Sequence, residues 1–487
     1  MLKGKRNPGS PGLNLGPGQK RRVKPPDQVR GAVKKRRQRR RGKVTLQIGK
    51  FIPFSGSFGK IRRFIYKNIL RRSLKLRLPS FQINISAVRI FAVFLLLVIL
   101  ILPNYFITFP LVRSFYTIKF EGELGDSRNQ EREWKGERRI NVLLIGLDRK
   151  TEEFAFVDSL TVLVLDPEKK TLGIFGVNTE FEVFVPTLGK STQLKKLYNL
   201  GQLEEERNSL DLIIGGTQSL LSINIDRYFS TDEDGFLEIM DSFGSIPVDV
   251  TSDIEETDII KDNDIFALKE GSRNLKSEDF LSFLRSDSLG GELRLVHQNS
   301  GVEGIVDRLD NLDIILNLNS ITDSLIANVR SDFQEAEFRR FAWSLRGLSF
   351  DDIKTGYTRL SSGSKKEEGG FLPIFERIDK DVSEIFFNIE VQREQARIEV
   401  LNGTATAGLG TSKGRWISNV GAKVINIGNS RDPFEITTVY VDDLERYRET
   451  ISELENIFNG GLVVLEEKFP YRHTGDVVVV IGEDAVQ

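Results

Sequence analysis

Two apolar runs tied to aspartates constrain the fold more than any other part of the chain: Ile140 to Asp148 (INVLLIGLD) and Asp158 to Asp166 (DSLTVLVLD). Both are rich in Val, Ile and Leu and apolar for most of their length. This is the pattern of strands buried on both faces, in a sheet covered by helices on each side. Ligand sites in such sheets gather where strands end and loops begin. Asp148 closes the first run just after Gly146, and Asp158 opens the second after residues 149–157. The two carboxylates therefore either solvate loop ends or meet at one sheet edge, where hard oxygen donors suit Mg²⁺.

The chain has 487 residues and a formal net charge of zero, but that neutrality is a sum of opposites. Residues 1–89 hold 26 Lys and Arg against a single acid, Asp27, leaving 43 basic and 68 acidic residues downstream. Between the two parts, Ile90 to Val112 (IFAVFLLLVILILPNYFITFPLV) carries no charge and is bounded by Arg89 and Arg113. A run of about 23 such residues spans a bilayer with some tilt, although Pro103 and Asn104 weaken its second half. The reading is one transmembrane helix within 87–112. The basic side is placed in the cytoplasm and the rest outside a cell membrane. A cleaved signal peptide fits poorly, because its basic region would be far too long and no A-x-A site follows. With no cysteine, the outer part has neither disulfides nor a thiol nucleophile.

Residues 1–86 are expected to be largely disordered, being rich in Pro, Gly, Lys and Arg. The cluster Lys34 to Arg41 (KKRRQRRR) suits either nucleic acid or the anionic inner leaflet, where each basic residue is worth about 1 kcal/mol. Between Gly59 and Leu74 an apolar face (Ile61, Phe64, Ile65, Ile69) opposes Lys60, Arg63, Lys67 and Arg71, as in an interfacial amphipathic helix. The membrane tether makes lipid the better partner there and nucleic acid the weaker one.

Outside, residues 113–138 read as a polar stalk or first edge hairpin, and alternating strand and helix signals begin at Arg139. A strand-turn-strand element spans Leu163 to Val177 around Asp166–Lys170, followed by strands at Glu182–Pro186 and Ile246–Val250. Helices are expected at Leu210–Leu221, Gly235–Phe243 and Lys276–Arg285. This alternation implies an α/β/α sandwich over 139–361. Ser361 to Gly370 (SSGSKKEEGG) has linker composition, which places a linker over 362–394 and a small second α/β domain over 395–487. The 33 Phe residues are read most simply as a well-filled core.

The segments NVLLIGLD, FVDSLTVLVLDPEKKTLGIFGV, DRYFSTDEDGFLEIMDSFGSIPVDV, LKEGSRNLKSEDFLSFLRSD and ELRLVHQN, in that order, resemble the extracellular catalytic domain of the LytR-CpsA-Psr family. Ala396 to Gly482, from VLNGT to VVVVIG, is similar to the small domain often found C-terminal to it. The resemblance implies a membrane-anchored, Mg²⁺-dependent phosphotransferase that moves a glycopolymer from polyprenyl pyrophosphate to the cell wall. Under it, Asp148 and Asp158 hold the metal, with Asp158 as candidate base. Arg285, Arg294 and Gln298 occupy pyrophosphate-binding positions, and His297 stands where a second arginine is expected. Arg149, with Lys150, Lys190 and Lys195, is near enough in sequence to serve as a substitute cation. Three further positions depart from the pattern: Phe156 and Asp287 replace arginines, and Val177-Asn178-Thr179-Glu180 replaces an I-P-R-D element. The alternative reading is therefore a non-catalytic descendant that binds a lipid-linked polymer, a wall polymer or a protein partner.

Overall fold

The computed structural model describes residues 73–78, 81–103, 112–120, 133–151, 154–185, 189–203, 209–257, 265–286, 291–367, 369–458 and 461–486, together with Tyr105 and Phe109. The basic cluster Lys34–Arg41 lies outside the described residues, as does nearly all of the expected amphipathic segment 59–74. Residues 1–92 and 93–487 form separate units. In the first, Ser73–Leu78 and Phe81–Ser86 pair as an antiparallel hairpin. Within the expected transmembrane span 87–112 the described residues include a 17-residue helix at Ala87–Pro103. No helix among the described residues is long and apolar enough to cross a membrane.

The expected strands at 182–186 and 246–250 pair elsewhere, as Glu182–Val185 with Lys190–Gln193 and Ile246–Val250 with Gly271–Leu275, while both apolar runs enter one six-stranded sheet. Its members are β1 (Ile140–Thr151), β2 (Phe154–Asp166), β3 (Thr171–Val177), β4 (Arg227–Asp232), β5 (Arg330–Ser331) and β6 (Ile353–Tyr357), in the spatial order β5-β4-β1-β2-β3-β6. The β1-β2-β3 meander is antiparallel, whereas β4 and β6 add parallel to β1 and β3. Alternate residues feed two separate cores, as the two-sided apolar pattern requires. Leu143, Ile145, Leu160 and Val162 pack beneath α1 (Leu197–Leu203) and α2 (Ser209–Leu221). On the other face, Ile140, Val142, Leu163 and Ile174 meet α5 (Gly291–Arg308) and α8 (Glu335–Leu345). The sheet is thus covered by helices on both faces.

Further helices among the described residues include α3 (Glu233–Phe243), α4 (Ser277–Arg285), α6 (Leu312–Leu316), α7 (Leu318–Asn328) and α9 (Phe375–Phe386). Two boundary expectations need correction. Residues 113–138 are not simply a polar stalk, since Ile118 and Trp134 are fully buried in the second core. The Trp134 backbone N–H donates to Glu337 at 2.5 Å, and Glu337 also neutralises the buried Arg227. Residues 362–394 are not a linker: α9 inserts Ile378, Val382 and Phe386 into the first core. Its apolar positions recur at i, i+4 and i+8 but are diluted by charges at 376, 377, 379, 380, 381 and 384, which hid the helix.

The phenylalanines are largely structural. Phe120 and Phe338 lie 5.0 Å apart between ring centroids, Phe229 and Phe333 4.9 Å, and Phe333 and Phe341 5.2 Å. Each such pair adds about 0.5–1.5 kcal/mol beyond area burial. The C-terminal domain has its own five-stranded sheet, built from Arg397–Asn402, Lys423–Asn429, Thr438–Val441, Val463–Leu465 and Val477–Ile481. It is fastened to the first domain by Arg139–Glu453 at 3.3 Å and Arg415–Asp379 at 2.6 Å.

α5 carries the residues of greatest interest, and its placement depends on glycines facing the strand Ile246–Val250 and α4. A Cβ at Gly304 would lie 1.9 Å from the Pro247 carbonyl oxygen, and one at Gly301 would lie 2.4 Å from Leu284. Gly304→Ala should therefore force the helix off the strand and cost about 1–3 kcal/mol, the usual penalty of overpacking. Urea unfolding of the wild type and variant checks this, and equal midpoints would contradict the packing described.

Candidate active site

The site begins with an irregularity in β2. Gly146 pairs with Ser159 and Leu147 pairs with Val157, so Asp158 is the extra residue of a β-bulge. Side chains in a regular strand alternate between faces. Leu160 and Val162 enter the apolar core under α1 and α2, and in a regular strand Asp158 would follow them. The bulge instead delivers its carboxylate to the face carrying α4 and α5. Gly146 permits this, because a Cβ there would lie 2.3 Å from Ser159 Oγ. Asp148 pairs with Phe156 and is the diagonal neighbour of Asp158 across the strands, a relation that sets residues about 7–8 Å apart.

Two arginines converge on Asp158. Arg285, the last residue of α4, donates from Nε to Asp158 Oδ2 at 3.0 Å and from Nη1 to Glu233 Oε2 at 2.7 Å. Arg294, near the start of α5, donates from Nη2 to Asp158 Oδ1 at 2.5 Å. Its Nε is buried without a hydrogen-bond partner among the described residues. Burial alone would raise the pKa of Asp158, but the charges of Arg294 and Arg285 outweigh it and hold the carboxyl below its ordinary value. In this arrangement Asp158 anchors the two guanidinium groups. A carboxylate engaged on both oxygens by guanidinium groups is a poor proton acceptor and a good anchor.

The metal expectation fits the chemistry of the donors. Among the described residues no group of three or more His, Asp or Glu stands ready to hold a metal ion. Mg²⁺, however, is commonly bound by one or two carboxylates, with water and substrate phosphate completing its shell. Asp148 and Asp158 provide that number and type of donor.

Gln298 lies beside Asp158 and Arg285. It lines a cavity of about 60 Å³ with Gly146, Asp158, Phe236, Leu281 and Arg285, room for a few water molecules. Its buried Oε1 has no hydrogen-bond partner among the described residues. His297 does not serve as expected. It is fully buried, its Nδ1 lies 2.7 Å from Ser286 Oγ, and its ring packs on Phe283 at 4.5 Å. Desolvation pushes its pKa down to about 4, so it is neutral at physiological pH and cannot replace an arginine's charge. It instead braces Ser286, the residue after Arg285.

The Arg149 and Lys150 side chains and Asp287 lie outside the described residues. Lys195 pairs with Glu180 at 3.0 Å, Lys190 is exposed on a short edge strand, and Phe156 is exposed beside Asp148. Sequence reasoning passed over Glu233, which fixes the second arm of Arg285. The available signal was the acidic run STDED between a central strand and a helix. Carboxylates are favoured at helix N-termini by the aligned backbone dipoles, and Asp232 caps this helix by accepting from the Gly235 N–H at 3.0 Å.

The sequence profile of the LytR_cpsA_psr family matches residues 117–369, and that of the LytR cell envelope-related transcriptional attenuator matches residues 395–484. The chain belongs to the LytR-CpsA-Psr family and carries a LytR-type C-terminal domain. Among its relatives is a protein named polyisoprenyl-teichoic acid–peptidoglycan teichoic acid transferase TagV, from Bacillus subtilis (strain 168). It is 25% identical over 250 residues, covering 50% of this chain and 60% of the relative. TagU of Bacillus anthracis is 23% identical over 199 residues, covering 40% and 61%. The matches thus span about three fifths of these relatives' length. Similar solved structures include B. subtilis TagV, with a TM-score of 0.43 and 22% identity over 50% of this chain and 94% of that one. Another is described as TagT bound to LIIa-WTA, with a TM-score of 0.41 and 15% identity over 54% and 99%.

The buried histidine generates a pH prediction. The unfolded chain takes up a proton at His297 near pH 6.5, whereas the folded chain resists until about pH 4. Stability is therefore lost as pH falls through that window, by about 3 kcal/mol if the proton is fully excluded. Denaturant unfolding from pH 7 to 4 should be flatter in His297→Gln than in the wild type by that amount, and parallel curves would contradict the assignment.

Proposed function

We propose that the chain is a membrane-anchored phosphotransferase that moves a glycopolymer from a polyprenyl pyrophosphate carrier to the cell wall. The observation that carries this reading is the convergence of Arg285, Arg294 and Asp158 at the bulged end of β2. Family membership and the names of the relatives support the substrate class. The uncharged run Ile90–Val112, flanked by opposite charge excesses, supports a single-pass topology with the C-terminal part outside the cell.

The chemistry follows from the charges. A pyrophosphate substituted at both ends carries a negative charge on each phosphate and attracts guanidinium groups strongly. Arg294 would meet it with the buried, unpartnered Nε, and Arg285 would be kept pointing inward by Glu233. Charge-assisted bonds of this kind hold the phosphates and stabilise the charge that develops as a wall hydroxyl attacks the phosphorus nearer the glycopolymer, the P–O–P bridge breaks, polyprenyl phosphate leaves and the hydroxyl proton passes to solvent. Asp148 and Asp158 would hold Mg²⁺, which supplies further charge neutralisation when bound. Gln298 would orient a phosphate oxygen or a water molecule in the cavity beside it.

The test is transfer by the full-length chain in lipid nanodiscs, with a polyprenyl-pyrophosphate saccharide, peptidoglycan fragments and Mg²⁺. Arg285→Ala and Arg294→Ala should each lower turnover by about 10²–10³, the cost of removing one preorganised donor, and EDTA should abolish it. Wild-type turnover in both variants would overturn the reading. A second reading, binding without transfer, is favoured by the uncharged or acidic side chains where the family resemblance expects arginines, such as Phe156. It predicts tight lipid binding with no product in the wild type.

A further inference from the structure

Four large apolar side chains stand in solvent at one end of the first domain. Trp343 is 68% exposed, Phe350 67%, Leu312 70% and Leu316 55%. Isolated exposed apolar residues are ordinary, but a contiguous group is not. These four share one surface. Asp310 accepts from the Gly347 N–H at 2.9 Å and pairs with Arg346 at 3.4 Å, tying the end of α8 to the segment before α6. That segment follows the C-terminus of α5, whereas Arg294 and the proposed site lie near its N-terminus. Arg294 and Arg308 are about 21 Å apart along the helix axis.

The uncharged run arrives at the same surface. The Ser114 N–H donates to Asn319 Oδ1 on α7 at 3.2 Å. Arg339 on α8 donates to the Tyr116 carbonyl oxygen at 2.8 Å and lies 5.9 Å from the Tyr116 ring. Val112, the last residue of the run, is two residues from Ser114, at most about 7 Å of chain. Arg339, Trp343 and Arg346 recur at the i, i+4, i+7 spacing of a single helical face, with Arg346 over the Trp343 ring at 5.2 Å. Tryptophan, tyrosine and arginine beside exposed leucines form the set that settles at a membrane–water interface. Aromatic rings there bridge apolar and hydrated layers, and arginines reach lipid phosphates.

We propose that this surface is a membrane-docking face, with Trp343, Phe350, Leu312 and Leu316 seated in the headgroup region of a phospholipid leaflet. The proposal rests on the anchored topology given above. Docking this way points the Asp158 end of α5 away from the bilayer and fixes which end of the domain faces the wall.

The chain's three tryptophans make this testable, because Trp134 and Trp416 are buried and Trp343 is exposed. Full-length protein is placed in phosphatidylglycerol-containing nanodiscs made with or without lipids brominated near the glycerol end of their acyl chains. Brominated lipid should remove up to about a third of the emission, the share of one indole in three, and iodide should quench little. Trp343→Phe should abolish the bromine effect, and Leu312→Glu with Phe350→Glu should weaken it and expose Trp343 to iodide. Protein embedded in nanodiscs whose Trp343 is quenched by iodide and not by bromine overturns the docking face while leaving the anchor intact. Protein that does not enter nanodiscs overturns the anchor and the docking face together.

Discussion

One extra residue in β2 organises the candidate site. Without the bulge, Asp158 would share a face with Leu160 and Val162, and a carboxylate would be driven into an apolar core at a cost that pairing there could not offset. With it, the carboxylate emerges between α4 and α5 and becomes the point on which Arg285 and Arg294 close. The bulge depends in turn on Gly146, whose missing side chain leaves room for Ser159. A local backbone irregularity thus sets the electrostatics of the whole strand end.

The rest of the scaffold holds that arrangement in place. α5 is drawn against the Ile246–Val250 strand by Gly304 and against α4 by Gly301, which fixes Arg294. Ser286, held by the buried His297, closes the end of α4 and steadies Arg285, while Glu233 takes that arginine's second arm. Asp158 and Glu233 together balance the charge of the two arginines, so an arriving polyanion competes with Asp158 for the guanidinium groups. Releasing Asp158 from them would make its oxygens available to a cation. Under the proposed function, anion and metal binding would thereby be coupled through a single carboxylate.

Much of this was legible in the sequence. The apolar runs gave the central strands and their two-sided burial, and the spacing of Leu210–Leu221 and Lys276–Arg285 gave helices within a residue of their observed limits. The family resemblance pointed to Asp148, Asp158, Arg285, Arg294 and Gln298. What stayed hidden depended on tertiary context. A bulge leaves no mark in a Val- and Leu-rich run, so the basis for Asp158 changing faces was invisible. α9 was obscured by charges on its solvent side, and residues 113–138 by a polar composition that conceals Ile118 and Trp134. His297 was misread because alignment supplies a position and not a direction, and the ring turns toward Phe283.

The most direct test of the account is calorimetric titration of inorganic pyrophosphate into full-length wild type and Asp158→Asn, each with EDTA and with Mg²⁺. If Asp158 both restrains the arginines and holds the cation, the variant should bind pyrophosphate in EDTA at least as tightly as the wild type and lose the gain in affinity that Mg²⁺ confers. A variant that binds more weakly in EDTA yet keeps the full Mg²⁺ gain would contradict the central claim.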